Sequence, residues 1–269
     1  ATAAEARSGD ARPARVIRWR AWTAYGVVFA ASACALILEI TAGRLLALYL
    51  GVSLYTWTSI IGVVLAGIAL GNYLGGVVAD LAGSRRMLGV LLAAGGLASL
   101  AVLPFTTIDL LGLVPKGLPV VVRKVLLTGL LFFVPSALLG MVLPVVVKLT
   151  LADLGRAGHG VGRIYAWSTL GSIAGAFLTG FALIPLLGTK VVIFGVGVIL
   201  IALAAVTGEF FRRAGLPRAV DALMALLLIL VLGQIHLRDA LEAWCVRETS
   251  YYCIRVTAER ASDGHVYRV

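Results

Sequence analysis

Apolar runs of about 20 residues recur along this chain, each long enough at 1.5 Å per helical residue to cross ~30 Å of hydrocarbon. They lie at Trp22 to Leu50, Tyr55 to Ala79, Met87 to Thr106, Val120 to Val147, Ile164 to Leu187, Val191 to Thr207 and Ala219 to Ile235. Of the 269 residues, 61% are hydrophobic and 13% charged, against ~50% and ~25% in an ordinary soluble domain. That much apolar surface cannot be hidden in a water-soluble fold, so lipid is the expected solvent. The spacing predicts an all-α polytopic membrane protein of about seven transmembrane helices over residues 22–236. A basic cytoplasmic segment, 1–21, precedes them, and a polar tail, 237–269, follows. The first run exceeds the ~7 to 15 residues of a signal-peptide core and shows no evident small-residue cleavage site, so it reads as a retained helix.

Charge placement orients the helices. With a cytoplasmic N-terminus, the inner segments hold Arg7, Arg12, Arg15, Arg18, Arg20, Arg85, Arg86, Lys148, Arg156, Arg163, Arg212, Arg213 and Arg218, and the outer loops only Lys116, Arg123, Lys124 and Lys190. The positive-inside rule favours that orientation. The net charge of +10 is then mostly a topology signal rather than a nucleic-acid footprint. An odd number of crossings in the cell (inner) membrane places the tail outside the cytoplasm. Cys245 and Cys253 lie there, where an oxidising compartment permits a disulfide, with two free thiols as the alternative. Cys34, inside the first run, reads as a packing residue.

In the tail the period changes to two. Tyr252, Ile254 and Val256 alternate with Tyr251, Cys253 and Arg255, as in a half-exposed strand, and Asp263-Gly264 offers a turn before His265 to Val269. The expectation is a β-hairpin whose second strand ends the chain, continued by further polypeptide or covered by a partner.

Few residues in the helices carry chemistry. Gly67, Gly71 and Gly75 in the second helix and Gly171 and Gly175 in the fifth form smooth stripes that admit a neighbouring helix. Glu39 and Arg44 are ionisable groups at membrane depth, which makes them candidates for transport or proton relay, or for pairing at a helix interface. Five residues apart, they are ~140° apart around the helix and poorly placed to pair with each other. Asp221 is close enough to the inner interface to need no special role. Pro135 and Pro144 should bend the fourth helix. His159, His236 and His265 read as solvated. No metal-ligand spacing, phosphate-cradling loop or nucleophile triad is visible.

The loop Gly76, Asp80, Gly83, Arg85, Arg86 places a carboxylate at one helix end and cations at the next helix start. It resembles the loop between the second and third helices of major facilitator transporters, where such a cluster takes part in gating. Those transporters have twelve helices in two related halves, and no second copy of the loop is evident here.

Several strings together resemble the fused major facilitator/spermidine synthase family. They are Leu38-Glu39-Ile40 through Arg44-Leu45-Leu46 to Gly51, Gly75-Gly76 to Asp80, Tyr165-Ala166 through Thr169-Leu170-Gly171-Ser172 to Pro185-Leu186-Leu187-Gly188, and Glu248 to Val256. The last is similar to the strand that opens a soluble aminopropyltransferase domain. The resemblance implies that residues 237–269 begin a spermidine synthase-like domain that continues past Val269 and takes decarboxylated S-adenosylmethionine as substrate. It implies no cofactor and no catalytic residue within these 269. A membrane anchor for such an enzyme is therefore the first expectation. A small-molecule transporter is the second, and a non-catalytic subunit of a larger membrane assembly the third. Partners beyond the lipid bilayer would be other membrane subunits or a second copy, not nucleic acid. An extracytoplasmic tail conflicts with a cytosolic substrate, so either the helix count is off by one or the attached domain does something else.

Overall fold

The computed structural model describes residues 21–105, 117–150 and 157–208, together with strand segments at 247–248, 253–254, 258–260 and 266–268. Six helices account for almost all of it: α1 (Ala21–Leu50), α2 (Leu54–Ala82), α3 (Arg85–Leu100), α4 (Val120–Thr150), α5 (Ala157–Leu187) and α6 (Thr189–Thr207). All but α3 are long and apolar enough to cross a membrane. The third expected span, Met87 to Thr106, is divided: α3 has 16 residues, and a four-residue helix, Val102–Phe105, continues it. The seventh, Ala219 to Ile235, lies outside the described residues.

The outer surface is apolar. Leu81, Phe181, Leu186 and Val206 are each about four-fifths exposed (82%, 79%, 80% and 82%), which suits hydrocarbon and not water. These helices are compatible with a multi-pass membrane protein.

Local chemistry explains where the helices start and bend. Ser53 and Ser84 cap α2 and α3, accepting hydrogen bonds from the backbone N–H of Thr56 and Met87. Gly51, at φ 72°, turns the chain out of α1, and Gly188, at φ 78°, joins α5 to α6. The bends in α4 and α5 are π-helical turns, Gly129–Phe133 and Thr179–Leu183. Each ends two residues before a proline, Pro135 or Pro185. A wider turn at that point accommodates the donor that proline lacks. Pro144 sits within an α-helical stretch of α4, so of the two prolines expected to bend this helix only Pro135 coincides with an irregular turn. The fifth helix begins seven residues before its expected start at Ile164, which puts His159 and Arg163 in α5 rather than in a loop.

The main packing pairs are α1 with α5, α2 with α4 and α3 with α6. Contacts along each seam set direction. Thr56, early in α2, meets Lys124, early in α4, while Asp80 meets Lys148 near both ends, so α2 and α4 run parallel. Tyr25 meets Trp167 and Ala33 meets Gly175, so α1 and α5 also run parallel. Gly96 faces Ile201 and Leu100 faces Gly197, so α3 and α6 run antiparallel. Consecutive helices that alternate in direction have this set of directions.

The pairing maps onto itself when α1, α2 and α3 are exchanged with α4, α5 and α6, and each helix then takes the place of one running the opposite way. The six described helices are thus arranged as two inverted three-helix repeats, the construction from which many membrane transport folds are built. The repeat is legible in particular residues. Gly71 and Gly75 of α2 recur 100 positions later as Gly171 and Gly175 of α5, and both pairs lie against backbone, of Ala137 and Met141 in one repeat and of Phe29 and Ala33 in the other. Gly96 and Gly197 pack on each other, where an added Cβ would come within 2.8 Å and 3.1 Å of the opposite carbonyl oxygen. The connection Leu81-Ala82-Gly83-Ser84-Arg85 matches Leu186-Leu187-Gly188-Thr189-Lys190. This similar connection lies 105 positions on, five more than the glycines, and has Pro185 rather than a carboxylate before it.

In the tail, Arg247–Glu248 pairs antiparallel with Cys253–Ile254, and Ala258–Arg260 with Val266–Arg268. The rest of the expected strand and hairpin, including the Asp263-Gly264 turn, lies outside the described residues.

Candidate functional site

Two helix seams and the cavity between them contain most of the polar chemistry in the described residues. In the α2–α4 seam, Gly67, Gly71 and Gly75 bring the helices to backbone contact, as their spacing predicts. An added Cβ at Gly67 would lie 2.9 Å from the Phe133 carbonyl oxygen, and one at Gly75 2.7 Å from Met141 Cα. A lysine of α4 secures each end. Lys124, 6% exposed, donates from Nζ to Ser53 Oγ and Thr56 Oγ1, both at 2.8 Å. Thr56 Oγ1 in turn donates to the Gly51 carbonyl at 3.0 Å. Burying an ammonium is costly unless it is hydrogen-bonded, and these hydroxyls meet that need. At the other end Lys148 Nζ lies 2.7 Å from Asp80 Oδ1, with both side chains more than half exposed.

The Asp80 carboxylate pairs with Lys148, which ends the helix lying parallel to α2. Ser84 caps α3, and Arg85 and Arg86 belong to its first turn. Lys124, counted among outer-loop cations from the sequence, is buried one turn into α4.

The α1–α5 seam uses the same glycine device, Gly171 and Gly175, with different side chains around it. Trp167 stacks on Tyr25, with ring centroids 6.2 Å apart, and meets Phe29 edge-on at 6.2 Å. Arg163 lies over the Tyr25 ring, its guanidinium carbon 5.0 Å from the ring centroid. Ser32 Oγ and Ser168 Oγ are hydrogen-bonded at 2.8 Å, and Ser172 Oγ makes a long 3.5 Å contact to the Ser32 carbonyl.

Between the seams is a cavity of about 180 Å³ lined by α1, α2, α4 and α5. Its polar lining is Ser32, Asn72, Ser168 and Ser172, and its apolar lining includes Val28, Ile68, Leu139 and Leu143. The repeat explains its place. Ile68 and Asn72 recur as Ser168 and Ser172, and the α1 and α4 segments that line it are equivalent across the exchange. On each helix the lining residues centre within ~9 Å of the helix midpoint.

Glu39 is partly buried on α1 and is not among the residues lining the cavity. Cys34 is a buried free thiol. Cys253 lies opposite Glu248 in the first tail ladder, while Cys245, and with it the disulfide expectation, is outside the described residues. Among the described residues no group of His, Cys, Asp and Glu could hold a metal. The cavity serines and the buried Lys124 were not anticipated from the sequence, where only the 100-position repeat could have found the serines.

Comparison with known proteins yields no match to any family model, curated protein or solved structure.

Proposed function

We propose that this chain is the membrane-embedded portion of a fused major facilitator/spermidine synthase-like protein, anchoring an aminopropyltransferase-like domain that begins in the tail. In this reading the chain crosses the cell membrane seven times, with Ala219 to Ile235 as the last span, the N-terminus cytoplasmic and the tail outside. The observation that carries it is the inverted pairing of the six helices, built at residues that also carry the resemblance: Gly75, Asp80, Gly171, Ser172 and Pro185 to Gly188. The antiparallel ladders at 247–248 with 253–254 and 258–260 with 266–268 support a β-structured start to the attached domain. Full-length protein given labelled decarboxylated S-adenosylmethionine and putrescine should form labelled spermidine. Failure to bind either substrate would sink the enzymatic half of the reading. The side of the tail is tested by an impermeant thiol reagent on Cys245 and Cys253 after reduction, where protection until lysis overturns the seven-span topology.

A small-molecule transporter is a second reading, favoured by the cavity at the repeat interface. Glu39→Gln should then abolish solute accumulation in vesicles, and unchanged uptake removes Glu39 from the mechanism.

A further inference from the structure

Several hydroxyls in these helices are satisfied within their own helix. Thr41, Ser59, Ser99, Thr128, Thr179 and Thr207 each donate to the carbonyl one turn earlier in their own helix, at 2.6–2.8 Å. That is how a hydroxyl is satisfied where no water is available. The cavity serines behave otherwise. Ser32 and Ser168 bond to each other across the α1–α5 seam, and Ser172 reaches for the Ser32 carbonyl. One hydrogen bond between two hydroxyls uses one of their two protons, so the second is available to a further acceptor. Asn72, an exposed residue of α2, also contributes to the lining of this cavity. An amide thus joins the serine hydroxyls in the lining, adding donors and an acceptor to it. Leaving such groups unsatisfied inside a bilayer is costly, though tolerated where they line a cavity.

We propose that the cavity between α1, α2, α4 and α5 binds a small uncharged molecule with a hydroxyl or amide head and a short apolar body. Asn72, Ser168 and Ser172 hold the head, and Leu139 and Leu143 receive the body. Charge decides the class. Among the described residues no Asp, Glu, Lys, Arg or His lines the cavity, so a polyamine, a phosphate or a carboxylate would find no counter-ion among them and lose its hydration uncompensated. Neutral heads that both donate and accept match the lining atom for atom, and apolar residues predominate in the rest of the wall, as in ordinary small-molecule sites. The inference goes beyond the anchoring reading and is independent of any aminopropyl transfer by the tail.

The test uses the full chain in phosphatidylcholine vesicles, with Cys34, Cys245 and Cys253 replaced by Ser and Ser172→Cys introduced, leaving the Ser32–Ser168 bond intact. The readout is the rate of modification by N-ethylmaleimide, a small neutral thiol reagent. Butane-1,3-diol and isobutyramide should slow labelling severalfold, and putrescine at the same concentration should not. Adding Asn72→Leu should abolish protection, read as the ratio of labelling rates with and without ligand in the same variant. No labelling at all, labelling indifferent to both neutral probes, or protection by putrescine would each overturn the proposal. Protection by monoolein but not by either soluble probe would overturn it in favour of a lipid occupant. If Ser172→Cys fails to fold, Ser168→Cys is read in the same way, and a spermidine synthase assay on the same samples reports the anchoring reading separately.

Discussion

The α2–α4 and α1–α5 seams are equivalents within the repeat, yet different side chains hold them. Both rest on glycine pairs set against the neighbour's backbone, Gly71 and Gly75 in one and Gly171 and Gly175 in the other. Around that shared contact, α2–α4 is secured at its ends by Lys124 and Lys148. The α1–α5 seam instead has an aromatic cluster near its start and hydroxyls near its centre. Backbone packing has kept the symmetry and side-chain chemistry has lost it. Close approach depends only on the absence of a Cβ, and many polar arrangements can then be added without disturbing it. The asymmetry also leaves the polar side of the cavity on α1, α2 and α5, with α4 contributing an apolar wall.

The comparison is broken most severely at the glycines. Gly71→Leu and Gly171→Leu should each exceed the ~1 to 3 kcal/mol usual for overpacking, because the obstructing atoms are backbone and cannot rotate away. Tryptophan-fluorescence melts in detergent should show similar losses for both. Gly76→Ala is the control, since an added Cβ there meets nothing within 4 Å, and its melt should match the parent protein. If only one of the two leucine variants is destabilised, the seams are not equivalent.

Lys124→Met comes next. It removes two charge-assisted hydrogen bonds from a buried position, with an expected loss of about 1.5 to 3 kcal/mol, measured by the same melts. The hydroxyls of Ser53 and Thr56 keep their 2.9 Å bond to each other, so the loss should not grow further. Trp167→Leu, the corresponding change in the other seam, keeps apolar bulk and removes two ring pairs, worth about 0.5 to 1.5 kcal/mol each. The smallest effect is expected for Asp80→Asn. An ion pair this exposed contributes at most ~1 kcal/mol, and the difference from the parent should vanish as salt is raised. A larger effect that persists in high salt would mean that Asp80 does more than tie α2 to α4.

The glycine stripes were legible in the sequence because small residues at four-residue spacing have few uses in an apolar helix other than close packing. The cavity was not, because Ser32, Asn72, Ser168 and Ser172 are ordinary helix residues until parallel packing of α1 with α5 brings two of them within 2.8 Å. The loop cluster falls between. Asp80 was recognised as a charge at a helix end, but its partner lies 68 residues away, and the nearer cations at Arg85 and Arg86 were the natural choice from local spacing alone.

By itself the sequence determined that the chain is helical and apolar in runs of membrane length, because hydrophobicity and helix rise are local properties. It also determined that two of those helices present glycine faces. Only the tertiary structure decided which faces meet, that the six helices form two inverted repeats, and that four polar side chains share one cavity. Those facts depend on the relative direction and register of helices far apart in the chain, and neither quantity is carried by local periodicity.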